Sequence, residues 1–232
     1  MSMLDLLRYH KTAGKRKLKQ GIALSRLRLR GVRIGRGSSV AKNVEIGNTV
    51  QIGKGADLMK NTYLAAGVEV GDHCKLTAIS VGERSILDSD VICTGYGNGS
   101  IVVGKEVYIG IGAILDWSDD LYIGDFVHIA GPSTGLWTHS SAMAALRGLP
   151  VRYKGAEFRP TAPIHIENNV YIGGNCTVYP GVTIGHHSIV APNSAVTKDV
   201  APYSLVGGVP AKKIKTLSAV QPPANYSIDK AQ

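Results

Sequence analysis

The groups in this sequence best suited to moving a proton near neutral pH are its seven histidines. An imidazole with an ordinary pKa of about 6.5 can take the proton from a hydroxyl as that hydroxyl attacks a carbonyl. Spacing separates the candidates. His186 and His187 adjoin a Gly-containing corner, and His10 and His73 have no distinctive context. His128 and His165 occupy positions expected to face outward, although His128 is close enough in sequence to approach His139. His139 stands in the run Gly135-Leu136-Trp137-Thr138-His139-Ser140-Ser141, with Asp116 and Trp117 upstream. The three cysteines, Cys74, Cys93 and Cys176, form no disulfide framework. Cys74 and Cys176 fall on small inward positions, as buried free thiols would, which fits a reducing cytoplasm.

What must position these residues is a six-residue repeat. Ile34, Val40, Ile46, Ile52, Leu58, Leu64, Val70 and Leu76 keep one phase, and a small residue follows each by four places, as in Val44, Val50, Ala56 and Val68. The pattern returns at Ile166, Ile172, Val178, Ile184, Val190 and Val196. This period does not match the 3.6 of an amphipathic helix. It suits short strands joined by turns, with residues two apart pointing inward together. Gly, Asn or Asp after each inward aliphatic, as in Ile46-Gly47-Asn48, suggests left-handed corners. Three units then close one triangular coil, and stacked coils bury an aliphatic column. The phase slips between Leu76 and Val81, around Gly95 to Ser100, and at Leu121-Tyr122.

Three segments follow: a basic segment at 1–33, the repeat at 34–206 with an inserted loop at 136–163, and a cap and tail at 207–232. Residues 3–10 are expected to form a short helix after Ser2, and Arg26 to Arg30 a strand leading into the repeat. The net charge of +9 is concentrated near the start, in Arg8, Lys11, Lys15, Arg16, Lys17, Lys19, Arg26, Arg28, Arg30, Arg33 and Arg36. This is the pattern of a solvated arm, or of one drawn to an anionic lipid surface through residues 8–36. Without interleaved aromatics or a binding motif, nucleic acid is not an expected partner. No apolar run approaches the roughly 18 residues of a membrane span, and Met3 to Leu7 is too short for a signal peptide. The expected location is cytoplasmic, with a possible peripheral membrane contact.

The repeat resembles that of the hexapeptide-repeat acyltransferases. The resemblance implies an all-β fold, a left-handed parallel β-helix, usually assembled as a homotrimer with sites between subunits. The loop beginning at Thr138-His139 and the restart at Pro163-Ile164-His165-Ile166-Glu167 resemble the branch that acetylates sugars, polysaccharides and xenobiotics. Asn169-Val170-Tyr171-Ile172-Gly173, Pro180-Gly181-Val182-Thr183-Ile184-Gly185, Val196-Thr197-Lys198-Asp199 and Gly208-Val209-Pro210-Ala211-Lys212 extend that similarity.

By this resemblance His139 is the general base and acetyl-CoA the acyl donor, with no metal required. Tyr171 stands where these transferases commonly have Trp beside the thioester. Gly174 stands where several carry Ser as an oxyanion donor, and offers only its backbone N–H. Pro192, Thr197 and Lys198 fall where the pantetheine arm lies, and Lys212 and Lys215 where basic residues meet the coenzyme phosphates. Asp116 and Trp137 are expected to touch the acceptor. The family's usual Asn upstream is absent, since Ile109 to Ala113 contains only Ile, Gly and Ala.

The expected reaction is O-acetylation of a sugar or polysaccharide precursor. N-acetylation of a nucleotide-linked amino sugar and a non-catalytic hexapeptide scaffold are the alternatives. A zinc hydratase on this repeat would need a His-x4-His pair, which the sequence lacks.

Overall fold

The structure, a computed structural model, describes residues 27–150 and 158–219. The period folds into a three-sided left-handed β-helix of about 9 turns. Its faces are parallel sheets of ten, eight and seven strands, here called A, B and C. Face A runs from Arg33–Ile34 to Ser204–Gly207 and closes with Lys212–Thr216, which pairs antiparallel. Face B runs from Ser39–Val40 to Ala195–Val196, and face C from Glu45–Ile46 to Thr183–Ile184. Before the closing pair, consecutive strands belong to different faces, and each pairs with its equivalent one coil away, as Ile34 does with Ile52 and Ile52 with Val70.

The inward aliphatics form one column. Leu58, Leu64, Leu76, Leu87, Ile109, Leu115, Leu121, Ile129, Leu136 and Ile164 are essentially inaccessible. Val50, Ala56 and Val68 fill the small positions beside them. Val40 is partly exposed because its coil is covered on one side only among the described residues.

Two local expectations are corrected. Residues 27–29 are helical rather than extended, and the first strand begins at Arg33. Leu27 packs on the column, so this turn covers the end of the prism that a further strand would leave open. The glycine after each inward aliphatic also has a different reason. A Cβ on Gly47 would stand 2.6 Å from the backbone of Ala65 in the next coil, so Gly is required there by close approach. The left-handed residue comes two places later, at Thr49 with φ 56°.

Turns between faces C and A keep one length, at 47–50, 65–68, 82–85, 104–107, 124–127, 167–170 and 185–188. Those between faces B and C vary: 77–78, 95–100, 117–120, then 137–163. Every slip seen in the sequence therefore falls on one edge of the prism. The basic residues from Arg8 to Arg26, the expected helix at 3–10 and the tail beyond 219 lie outside the described residues. Arg28, Arg30, Arg33 and Arg36 are exposed. No helix among the described residues is long and apolar enough to cross a membrane.

All three cysteines are buried free thiols. Burial pushes Cys74 up to about 11 and Cys93 up to about 12, and raises Cys176. Between the ordinary value of 9.0 and about 11, the unfolded chain releases thiol protons that the folded chain keeps. Stability from this source is present below that window and is lost as pH rises through it. Urea titrations should show a falling midpoint from pH 9 to 10.5 that is blunted in Cys93→Ala relative to its own value at pH 8. At pH 8 the native thiols should react far more slowly with a thiol reagent than those of the unfolded chain.

Candidate active site

His139 sits at the neck of the 137–163 loop on the edge between faces B and C. The loop's two ends pair like a hairpin. His139 and Thr161 form an antiparallel bridge, Ser140 N donates to the Pro160 carbonyl at 3.1 Å, and Ala162 N to the Thr138 carbonyl at 2.9 Å. Beyond the neck lies a short helix, Ala142–Leu146, which the periodicity does not reveal.

Asp116 ends the face-B strand Ile114–Asp116 one coil earlier and has no exposed surface. Five donors converge on its carboxylate. Oδ2 accepts from His139 Nδ1 at 2.5 Å, His139 N at 3.1 Å and Thr138 N at 3.0 Å. Oδ1 accepts from Ser118 Oγ at 2.6 Å and Ser118 N at 3.0 Å. A buried carboxylate is tolerated when its lone pairs are filled in this way. Buried Thr138 completes the clasp: its hydroxyl donates to the Asp116 carbonyl at 3.1 Å and accepts from Asp119 N at 3.0 Å.

This donor set assigns the tautomer. The Asp116 carboxylate accepts the hydrogen bond that His139 Nδ1–H donates, so in the neutral imidazole Nε2 keeps its lone pair. The Ser118 hydroxyl donates to Asp116, so toward Nδ1, 3.2 Å away, it presents an acceptor. The His139 side chain is 20% exposed. The Tyr96 ring meets it edge-on at 4.8 Å, and Trp137 at 6.4 Å.

Beside this group opens a cavity of about 770 Å³, lined by Tyr96, Asn98, Ser118, Asp119, Asp120 and Arg159 among others. It abuts the histidine through Ser118 and Tyr96. The Arg159 guanidinium lies 5.7 Å from the Tyr96 ring centroid. Burial raises the Tyr96 phenol, with Arg159 opposing and Asp116 adding to the shift.

Of the other candidates, Asp116 and Trp137 lie beside His139 and the coenzyme candidates lie apart from it. Asp116, expected against an acceptor, is enclosed and has no surface to offer one. Trp137 is half-buried near the imidazole. Tyr171 lies on the outer surface of face A, in a row with His128 at 5.5 Å and, beyond it, Tyr108. Gly174 and Pro192 are on the edge between faces A and B, where a Cβ on Gly174 would strike the Gly131 carbonyl. Thr197 and Lys198 are exposed on the same edge as His139, further along the prism. Lys212 and Lys215 are exposed on the closing strand of face A. Ser118 and Tyr96 were not among the sequence candidates. The signal for Tyr96 was the slip at Gly95 to Ser100, with glycines on both sides of the ring-bearing residue. Among the described residues, no group of three or more His, Cys, Asp or Glu is placed to hold a metal.

Asp116→Asn places an amide where five donors converge. It should destabilise the protein by about 1–3 kcal/mol in denaturant titrations. In ¹⁵N NMR spectra, His139 should carry its proton on Nδ1 in the wild type, and Asp116→Asn should shift population toward the Nε2-protonated tautomer.

Comparison with known proteins adds a family. The family described as bacterial transferase hexapeptide (six repeats) matches residues 163–198. The galactoside O-acetyltransferase of Escherichia coli K12 is 33% identical over 142 residues, 60% of this chain and 64% of that protein. A chloramphenicol acetyltransferase of Klebsiella aerogenes is 56% identical over 50 residues, 22% of this chain and 24% of that protein. The chain thus spans less than two thirds of the length of these curated relatives. Among solved structures, an N-acyltransferase from Bacillus cereus, bound to dTDP-4-amino-4,6-dideoxyglucose and coenzyme A, is 20% identical. It covers 84% of this chain and 90% of that one, with a TM-score of 0.49. In its three-sided coil and over residues 163–198, the chain is similar to the hexapeptide-repeat transferases of bacteria.

Proposed function

We propose that this protein transfers an acetyl group from acetyl-CoA to a hydroxyl of a sugar or glycan, with His139 as general base. The observation that carries this is the pairing of His139 Nδ1 with fully buried Asp116 at 2.5 Å, which leaves Nε2 to act. The relatives named above are acetyltransferases, which supports the class of reaction.

In this reading Nε2 takes the hydroxyl proton as the oxygen attacks the thioester carbon. The tetrahedral intermediate collapses, the C–S bond breaks, and the imidazolium returns its proton to the departing thiolate. Asp116 holds the ring and stabilises the transient imidazolium, as a buried carboxylate does beside a catalytic histidine. It is therefore a positioning residue rather than an acceptor contact. Trp137 would flank the acceptor.

The coenzyme residues bear on assembly. Tyr171 and Gly174 lie on face A and the A–B edge, whereas His139 lies on the B–C edge. Two copies of the chain facing each other would bring Gly174 N–H and His139 to opposite sides of one thioester, the arrangement of a homotrimer with sites between subunits. Pro192, Thr197 and Lys198 would then line the pantetheine arm, and Lys212 and Lys215 would meet the phosphates.

A thiol-release assay with acetyl-CoA and a panel of neutral glycosides and amino sugars tests the reading. His139→Ala should lower turnover by about 10²- to 10⁴-fold, with little change in acetyl-CoA binding. Activity on amino sugars alone would move the assignment to N-acetylation. No release with any acceptor, or an unaffected His139→Ala variant, would sink the reading. Light scattering should give the mass of three chains, and a monomer that is fully active would overturn the shared site.

A further inference from the structure

The loop at 95–100 lies one coil from Asp116 and two from His139, on the same edge. It is laid against the Asp116 group closely enough to exclude side chains. A Cβ on Gly95 would stand 2.6 Å from Asp116 Oδ1, and one on Gly97 2.5 Å from the Ser118 carbonyl. Both glycines hold positive φ, 142° and 121°. Tyr96 N donates to Ser118 Oγ at 3.0 Å. Between these anchors the Tyr96 ring is fixed edge-on to His139, yet it remains 38% exposed and lines the cavity.

The rest of the lining defines the chemistry. Asn98, Asp119 and Thr161 offer an amide, a carboxylate and a hydroxyl, groups that match the mixed donors and acceptors of a polyol. Among the described lining residues, Asp119 and Asp120 outnumber Arg159, a balance that disfavours a phosphate or diphosphate beside them. Asp120 is itself fixed: it accepts from Ser100 N and Oγ, each at 3.0 Å, and from the Tyr122 hydroxyl at 3.0 Å.

We propose that the Gly95–Gly99 loop is the acceptor-recognition element of this chain. The cavity takes an uncharged, polyhydroxylated sugar ring whose C–H face packs on Tyr96. This rests on the transferase reading, because it is the edge-on imidazole of His139 that would meet the ring's hydroxyl. Tyr96 decides which acceptor fits and does not touch the thioester.

Binding can be measured without turnover. Saturation-transfer NMR on the full chain would use neutral methyl glycosides, the nucleoside diphosphate conjugates of the same sugars, and a nucleoside diphosphate alone. At least one neutral glycoside should bind the wild type. Tyr96→Phe should bind it within about twofold of wild type, and Tyr96→Ala about tenfold more weakly, the scale of one lost aromatic contact. Melting curves accompany each variant. If Tyr96→Ala fails to fold, Asn98→Ala, on the exposed part of the same loop, supplies the second probe and should weaken the glycoside severalfold. In turnover, Tyr96→Ala should raise the acceptor KM and leave the acetyl-CoA KM unchanged. The inference is overturned if no neutral glycoside binds, if binding is indifferent to both substitutions in folded protein, or if the nucleoside diphosphate alone competes for the cavity. Tyr96-dependent glycoside binding without any acetyl transfer would support this inference and defeat the transferase reading, so the two fail separately.

Discussion

The constraint on which this molecule depends is the register between stacked coils. Most strands pair on both sides, and each inward residue lies on its equivalent in the next coil, as Ile52 lies between Ile34 and Val70. One extra residue inside such a strand would turn every following side chain to the wrong face. Insertions are therefore expelled to corners. They leave mainly by the B–C edge, where the turns at 95–100, 117–120 and 137–163 come to lie in adjacent coils. Separate irregularities in sequence thus become neighbours in space and enclose a cavity.

The same register explains why a carboxylate can be buried there. The face-B strand ends with Leu115 in the aliphatic column and Asp116 just past it, at the point where the chain turns. Its own turn and the loop of the next coil supply the donors that keep Asp116 from being an orphaned charge: Ser118 from the first, Thr138 and His139 from the second. Packing and chemistry are joined at this residue. The hydrogen bonds that make its burial tolerable also fix which nitrogen of His139 holds the proton.

Glycine shows how the repeat spends its simplest residue in two ways. Gly47 is small because the neighbouring coil passes within contact distance of its missing Cβ, while the left-handed turn comes later, at Thr49. At Gly95 and Gly97 both demands coincide, since the conformation is left-handed and the Cβ positions are blocked by Asp116 and Ser118. A loop held on both sides in this way presents Tyr96 as a rigid wall.

By itself the sequence determined the period, the aliphatic column and the place where the repeat fails, because a solenoid's packing is local and recurs in every unit. Ile34 to Leu76 and Ile166 to Val196 announce it without help from distant contacts. His139 could be singled out by the loop it opens. Only the tertiary structure decided that Asp116, 23 residues earlier, is enclosed against that histidine and not presented to an acceptor. It also decided that Ser118 and Tyr96 belong to the same group. These relations run between coils, through turns of unequal length, and no periodicity in a single chain records which turn will rest upon which.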